Sequence, residues 1–326
     1  MSQSTRSACP ACGHDGYKSL FHGTDRLYRT TDRGFTVVEC AKCRLMRLFP
    51  QPRPSELSQF YPAQYWFSPG DSPAARAEER YRRFVLNDHV RFVESSIETT
   101  PTRGTVLDVG CGGGLFLRLL RERGHRVVGL DNSLDAAQVA WKQNRVAALC
   151  GSLTRAPFQP RQFTTITMFH VLEHLYDPMA FCEAARDLLT DDGRLVIQVP
   201  NAACWQFLLF GEHWNGIDIP RHLVNFKEKD LVDLLDASGF TVTRRKHFSL
   251  AITPPASPPP SPSASTPWPG GSAKYRNPPK DACLRTPSTS PSCSPAFRQP
   301  SSKRLAAQAQ PSWSKHAKNE GLHPAF

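Results

Sequence analysis

No apolar run in this 326-residue chain approaches the roughly 18 residues that a membrane-crossing helix needs. The first residues also lack the basic-then-apolar pattern of a signal peptide. With neither feature, the ten cysteines predict reduced thiols or metal ligands rather than disulfides, in a cytoplasmic protein without membrane partners. Acidic residues are scarce at one end. From Ala251 to Phe326 there are two Asp/Glu against nine Lys/Arg, whereas the preceding residues hold 27 against 31. Most of the net charge of +11 therefore sits in this tail, and the near-neutral remainder argues against a nucleic-acid partner for the folded part. The tail also carries 16 of the 29 prolines and almost no apolar periodicity. It cannot bury enough surface to offset its ordering entropy, so residues 251–326 are predicted to be disordered.

The centre of the sequence is the stretch Thr105-Val-Leu-Asp-Val-Gly-Cys-Gly-Gly-Gly114. Three apolar β-formers flank an acid, glycines follow at 110, 112, 113 and 114, and an apolar helical run begins at Leu115. This predicts a buried strand, a tight turn and a helix start, the layout of a loop that holds a nucleotide cofactor. Glycine serves there because the backbone takes positive φ and because a ligand comes closer than a Cβ allows. The nicotinamide fingerprint G-x-G-x-x-G fails at its third glycine, where Leu115 stands. The pattern present is D-x-G-x-G-x-G, from Asp108 to Gly114.

Two C-x-x-C pairs lie near the N-terminus, Cys9/Cys12 and Cys40/Cys43, with 27 residues between the pairs. Two such pairs can close a tetrahedral four-thiolate zinc site, structural because no coordination position stays open. The alternative is a set of ordinary buried thiols. Phe35–Glu39 reads as a short strand leading into the second pair, which completes a zinc-ribbon layout. Aromatic and apolar residues then cluster at Leu57, Phe60, Tyr61, Tyr65, Trp66 and Phe67. They either pack the ribbon against the next domain or wall a substrate site. Residues 68–73 read as a linker, and Ala74 to Ile97 as one amphipathic helix.

From Thr105 onward strands and helices alternate. Strands are expected at 105–109, 126–130, 146–150, 163–169, 193–199 and 240–247, and helices at 114–123, 134–143, 177–189 and 228–238. This predicts an α/β, Rossmann-like, mostly parallel sheet with helices on both faces, preceded by the small zinc ribbon. The domain plan is a zinc-ribbon segment at 1–48, an aromatic linker and N-terminal helix at 49–100, a cofactor-binding domain at 101–250 and the tail at 251–326. In such sheets ligands sit at the C-terminal strand ends, where the 108–114 loop lies.

The D-x-G-x-G-x-G stretch resembles motif I of the class I S-adenosylmethionine-dependent methyltransferases. Met168-Phe-His-Val-Leu-Glu-His-Leu-Tyr-Asp-Pro178 is similar to a second segment of that family. Asp191–Asn201 and Asp218-Ile-Pro-Arg-His-Leu-Val-Asn-Phe226 match two further ones. Together with the cysteine pairs and Phe49-Pro-Gln-Pro-Arg53, the resemblance spans roughly residues 9–248. It is closest to bacterial methyltransferases with an N-terminal zinc-binding segment, among them sugar C-methyltransferases; generic motifs are shared with quinol O-methyltransferases. It implies S-adenosylmethionine as cofactor, contacted by Asp108, Gly110, Cys111, Gly112, Gly114, Asp131, Asn132, Ser152 and His170. A carboxylate beside the loop suits a ligand carrying an ammonium and no pyrophosphate, and Asp131, ending the second strand, can accept both ribose hydroxyls. Two positions depart from the family: Ser152 stands where an acid usually contacts the adenine amine, and Phe163-Thr164 where Phe-Asp is usual. The family's sheet normally closes with a seventh, antiparallel strand between the fifth and sixth. No segment before the tail supplies it, so the C-terminus reads as truncated or frame-shifted.

Methyl transfer to a hydroxyl or carbon acid requires removal of a proton, and histidine suits that task near neutral pH. The candidates are His170, His174 and His222; His170 and His222 are favoured, because Glu173 and His174 are expected to form a local hydrogen-bonded pair that positions their loop. No metal cluster beyond the four cysteines is expected. The sequence thus predicts S-adenosylmethionine-dependent methylation of a small-molecule acceptor of sugar, quinol or phenol type. The competing reading is a zinc-ribbon nucleic-acid-binding protein that retains an impaired methyltransferase fold.

Overall fold

The computed structural model describes residues 8–62, 72–98 and 104–247. Tyr65, Trp66, Phe67, the 68–73 linker (but for its last two residues), the tail and any seventh strand lie outside them.

The N-terminal segment folds as three antiparallel strands, β1 (Tyr17–Gly23), β2 (Phe35–Cys40) and β3 (Met46–Phe49). Both turns that carry the cysteine pairs are closed by backbone bonds, Gly13 N–H to Cys9 O at 2.8 Å and Arg44 N–H to Cys40 O at 3.1 Å. A short helix α1 (Pro54–Leu57) leads to Phe60, which is buried and meets Phe35 edge-on at 6.0 Å between ring centroids. For Phe60 the packing alternative is the one realised.

Helix α2 (Pro73–Ile97) starts as Ser72 accepts the Ala75 N–H, with Pro73 in the first helical position where no N–H is needed. Then β4 (Thr105–Val109), α3 (Leu115–Glu122), β5 (Arg126–Asp131), α4 (Leu134–Lys142) and β6 (Ala148–Cys150) follow in alternation. Next come β7 (Phe163–Phe169), α5 (Pro178–Leu188) and β8 (Leu189–Gln198). These five strands pair in parallel in the order β6-β5-β4-β7-β8. The chain steps outward from β4 to β6 and then restarts on the other side of β4, so the switch point lies between β4 and β7.

Residues alternate across β4, as a strand requires. Val106 faces a core with Val90 and Val93 of α2 and Leu117 and Leu120 of α3; Leu107 and Val109 face a second core with Cys182, Ala185 and Leu188 of α5. Helices therefore cover both faces, as expected.

The chain continues through α6 (Trp205–Phe210) to a two-residue strand β9 (Val224–Asn225) and α7 (Glu228–Ala237). β9 does not join the parallel sheet. It pairs antiparallel with β3, Met46 opposite Asn225 and Arg47 opposite Val224, and so completes a four-stranded sheet begun by the N-terminal segment.

One expectation fails. Residues 241–247 hold no strand. They are secured by side chains instead: the Arg244 guanidinium lies 4.3 Å from the Phe92 ring centroid and bonds Ser95, Arg245 meets Glu228 at 2.9 Å, and Lys246 meets Asp88 at 2.5 Å. In the resemblance this strand pairs with the antiparallel seventh. Without that ladder partner among the described residues its backbone groups gain nothing from strand geometry.

Candidate functional site

The C-terminal ends of β4, β5, β6 and β7 bring most of the expected residues to one edge of the sheet. Asp108 lies one residue from the end of β4, Asp131 ends β5, Ser152 follows β6 and His170 follows β7. The loop after β4 turns through Gly110, Gly112 and Gly114 at φ of 73°, 51° and 76°. At Gly110 a side chain is excluded twice over, because an added Cβ would also lie 2.6 Å from a methyl of Val171.

The loop is bound to the second strand. Leu130 O accepts from Gly110 N–H at 2.7 Å, and Asp131 accepts from Gly112 N–H at 2.9 Å and Ser133 N–H at 2.8 Å. Ser133 in turn caps α4 through Ala136 N–H. Asn144 supports the loop from outside: its amide donates to Gly113 O at 2.6 Å and accepts from Arg118 at 3.3 Å. Cys111 is buried, its sulfur near Gly129, and burial pushes its thiol well up, the condition of a packing residue and not of a nucleophile. Asn132 is exposed, and Ser152 bonds Thr154 at 3.1 Å.

Asp108 is buried and accepts a 2.6 Å bond from Thr167 of β7. Burial pushes its carboxyl up to about 7, Thr167 opposes, and the nearby Asp131 adds to the rise. Asp131 is also raised by burial, against its bonds from Ser133 and Gly112. Two buried carboxylates without a cationic partner among the groups that act on them create a site that favours a positively charged ligand and disfavours a pyrophosphate. The residues present fit S-adenosylmethionine on that ground.

The two candidate bases differ in setting. His170 takes φ of 56°, its side chain is 46% exposed, and its Nδ1 lies 3.2 Å from Glu173 Oε1. His222 is 8% exposed, and burial holds its imidazole down to about 4. Its ring stands edge-on to His174 at 4.7 Å, which burial also holds down to about 4. Burial pushes the Glu173 carboxyl up, and the bond from His170 outweighs it, so the group stays ionised. Glu173 and His174 do position a loop: Leu223 N–H donates to Glu173 O at 2.7 Å, and His174 Nδ1 lies 3.0 Å from both Arg221 O and the Tyr61 hydroxyl. The expected bond between the two is not among those of the described residues, since Glu173 meets His170 instead, and a cluster beyond the four cysteines does form, contrary to expectation. Glu173, His174 and His222 bring one potential metal-ligating atom each to within 4.8 Å of one another.

The four cysteines converge as the spacing predicted. Cys9 and Cys43 sulfurs are 3.5 Å apart and Cys12 and Cys40 sulfurs 3.6 Å, close to the about 3.8 Å edge of a tetrahedral zinc–thiolate site. All four sulfurs lie within 4.8 Å of one another.

Sequence reasoning missed Thr167 and Asn144. The first carried a weak signal, as one of three threonines in the buried strand β7; the second carried none. No helix among the described residues is long and apolar enough to cross a membrane.

Residues 77–245 match the model of a family described as a methyltransferase domain. The ubiquinone biosynthesis O-methyltransferase of Idiomarina loihiensis is 32% identical over 150 residues, covering 41% of this chain and 60% of the relative. That of Xylella fastidiosa is 30% identical over 169 residues, covering 48% and 63%. The chain thus spans less than two thirds of the length of these curated relatives. A solved S-adenosylmethionine-dependent methyltransferase from Archaeoglobus fulgidus is similar at a TM-score of 0.40 and 19% identity, over 52% of this chain and 75% of that one. The family match takes in the parallel sheet, the glycine loop and the segment around His170 together, and on it the chain belongs to the class I S-adenosylmethionine-dependent methyltransferases.

Proposed function

We propose that the protein transfers a methyl group from S-adenosylmethionine to a hydroxyl or carbon acid of a small molecule of quinol, phenol or sugar type. The observation that carries this is the pair of buried carboxylates, Asp108 in β4 and Asp131 at the end of β5, beside a loop of three positive-φ glycines that follows β4 at the switch point of a parallel sheet. The quinol option draws on the names of the relatives above.

S-adenosylmethionine, when bound, supplies an electrophilic methyl group on a sulfonium. The chain's own residues bind, orient and deprotonate. Asp131 would accept from the ribose hydroxyls, and Asp108 would offset the positive charge. Gly110, Gly112 and Gly114 carry no side chain that would bar the cofactor, with Cys111 packed beneath; Asn132 and Ser152 would border the nucleoside. His170 is assigned as the base. Glu173 accepts from its Nδ1–H, which leaves Nε2 to take the acceptor proton, and half of the side chain is open to an approaching molecule. His222 is buried beside His174, so the more exposed His170 is preferred over it as the base.

We also propose that Cys9, Cys12, Cys40 and Cys43 hold a structural zinc ion. Their separations support it, with all four sulfurs within 4.8 Å of one another.

Calorimetric titration with S-adenosylmethionine and with NAD tests the cofactor: binding of NAD alone would sink the reading. Mass spectrometry of quinol, phenol and nucleotide-sugar mixtures incubated with isotope-labelled cofactor then identifies the acceptor class.

A further inference from the structure

We propose that Glu173, His174 and His222 form a metal site that takes a divalent first-row transition cation through two imidazole nitrogens and one carboxylate. His174 and Glu173 come from the turn that follows β7, and His222 from the segment that precedes β9. The Leu223 N–H to Glu173 O bond clips the two segments together.

Hydrogen bonding prepares each residue to donate a lone pair. Nδ1 of His222 lies 3.0 Å from Gly216 O, and Nδ1 of His174 lies 3.0 Å from Arg221 O. A backbone carbonyl only accepts, so each Nδ1 carries the proton and each Nε2 keeps its lone pair. Asp218 N–H also approaches His222 Nδ1, but at 3.4 Å, and the shorter carbonyl contact decides the tautomer. An imidazole that donates its second N–H to a backbone carbonyl is the usual support of a metal-ligating histidine. Glu173 is 1% exposed; one oxygen is bonded to His170, and the other, Oε2, has no hydrogen-bond partner among the described residues. A buried carboxylate oxygen left unpartnered costs free energy unless something positive meets it.

Each of the three can therefore offer a lone pair, and one potential ligand atom from each lies within 4.8 Å of the others, with the Tyr61 hydroxyl on the Nδ1 side of His174 at 3.0 Å. Two neutral imidazoles and one carboxylate suit zinc, cobalt or manganese, and the absence of thiolate in this set distinguishes it chemically from the four cysteines. Metal–ligand bonds of about 2.0–2.2 Å would place the ligand atoms about 3.3–3.5 Å apart, so side-chain shifts of the order of one ångström close the site from its present 4.8 Å limit. Three protein ligands leave one position for water or for an oxygen of a bound molecule. Since Glu173 also holds His170, the cation and the assigned base would share one carboxylate.

The test needs neither cofactor nor acceptor, so its failure leaves methyl transfer untouched. The full chain is produced in cobalt-supplemented, zinc-limited medium and its cobalt content and absorption are measured. The expected result is two equivalents, one with thiolate-to-cobalt charge transfer in the near ultraviolet and one with ligand-field absorption alone. Glu173→Gln and His222→Gln are expected to lose the second equivalent and keep the charge-transfer band, which also reports that the N-terminal sheet has folded. If either variant fails to fold, the wild type decides: in protein carrying 15N-histidine, two paramagnetically shifted imidazoles support the site. A single, thiolate-bound equivalent, or a second equivalent that survives both substitutions, overturns it.

Discussion

The guanidinium of Arg221 meets the carboxylate of Asp25 through two parallel bonds, Nη1 to Oδ2 at 2.9 Å and Nη2 to Oδ1 at 2.7 Å, across 196 residues of sequence. Both side chains are fully buried. Asp218 takes the other flank of the same guanidinium, Phe60 O accepts a further bond, and the Tyr28 ring lies 4.6 Å from it. Arg221 immediately precedes His222, so this lock fixes the segment that carries the proposed metal ligand against the N-terminal sheet.

Arg221→Met should destabilise the protein by about 3–5 kcal/mol in urea unfolding, because it leaves two buried carboxylates without their partner. The pH profile carries the same signature. Burial pushes Asp25 up, but the bonds from Arg221 and Thr30 win and hold it at about 2, below its ordinary value. A depressed carboxylate contributes stability that is present above about pH 4 and is lost as pH falls toward 2. Asp25→Asn should flatten that acid limb; an unchanged limb would show that the pair does not govern it.

Asp108 predicts the opposite slope. Its carboxyl is raised to about 7, so between pH 4 and 7 the folded state holds a proton that the unfolded state has released. Stability from this group is greatest below about pH 4 and declines as pH rises through 7, by at most about 4 kcal/mol. Asp108→Asn should therefore raise the melting temperature of the cofactor-free protein at pH 8 and weaken S-adenosylmethionine binding. Calorimetry and thermal unfolding across pH 5 to 8 read both effects. A variant that melts lower at pH 8 would contradict the assigned strain.

The parts of this fold that were legible in the sequence are those whose signal is local. The glycine loop declares itself because positive φ demands glycine, and β4, β5 and β7 because buried strands need runs of β-formers. The cysteine pairs declare themselves by spacing. Residues 241–247 have β-forming character at their start, yet a strand exists only with a partner, and no partner strand stands beside them among the described residues. The burial of Arg221 is not legible in the sequence, since nothing around it announces an acid 196 positions away. The Glu173–His174–His222 cluster was hidden for the same reason: two of its members are adjacent, and the third arrives only when β9 pairs with β3.

The four-cysteine site predicts a coupled loss. Cys40 ends β2 and Cys43 opens the turn into β3, whose other edge pairs with β9. Cys40→Ser, or removal of the ion by a chelator, should release this sheet and free the segment around Arg221 with it. Metal analysis should find about one zinc less per chain, and hydrogen exchange should rise in both 35–49 and 221–226. Faster exchange in 35–49 alone would mean that the second segment stands without the first.

Asn144 offers the cleanest test of how the glycine loop is held. It is buried, donates to Gly113 O at 2.6 Å and accepts from Arg118 at 3.3 Å. Asn144→Ala removes the donor and leaves the carbonyl unpaired, a loss of about 1–2 kcal/mol that falls on the loop conformation. If the cofactor binds to that conformation, its Kd should rise by roughly 5- to 30-fold. Asn144→Asp keeps the acceptor for Arg118 but sets a carboxylate against the Gly113 carbonyl, so it should weaken binding at least as much. The two variants separate the roles of the side chain. Equal Kd values in both variants and wild type would assign loop rigidity to the Asp131 bonds alone. Weakening by alanine but not by aspartate would assign it to Arg118.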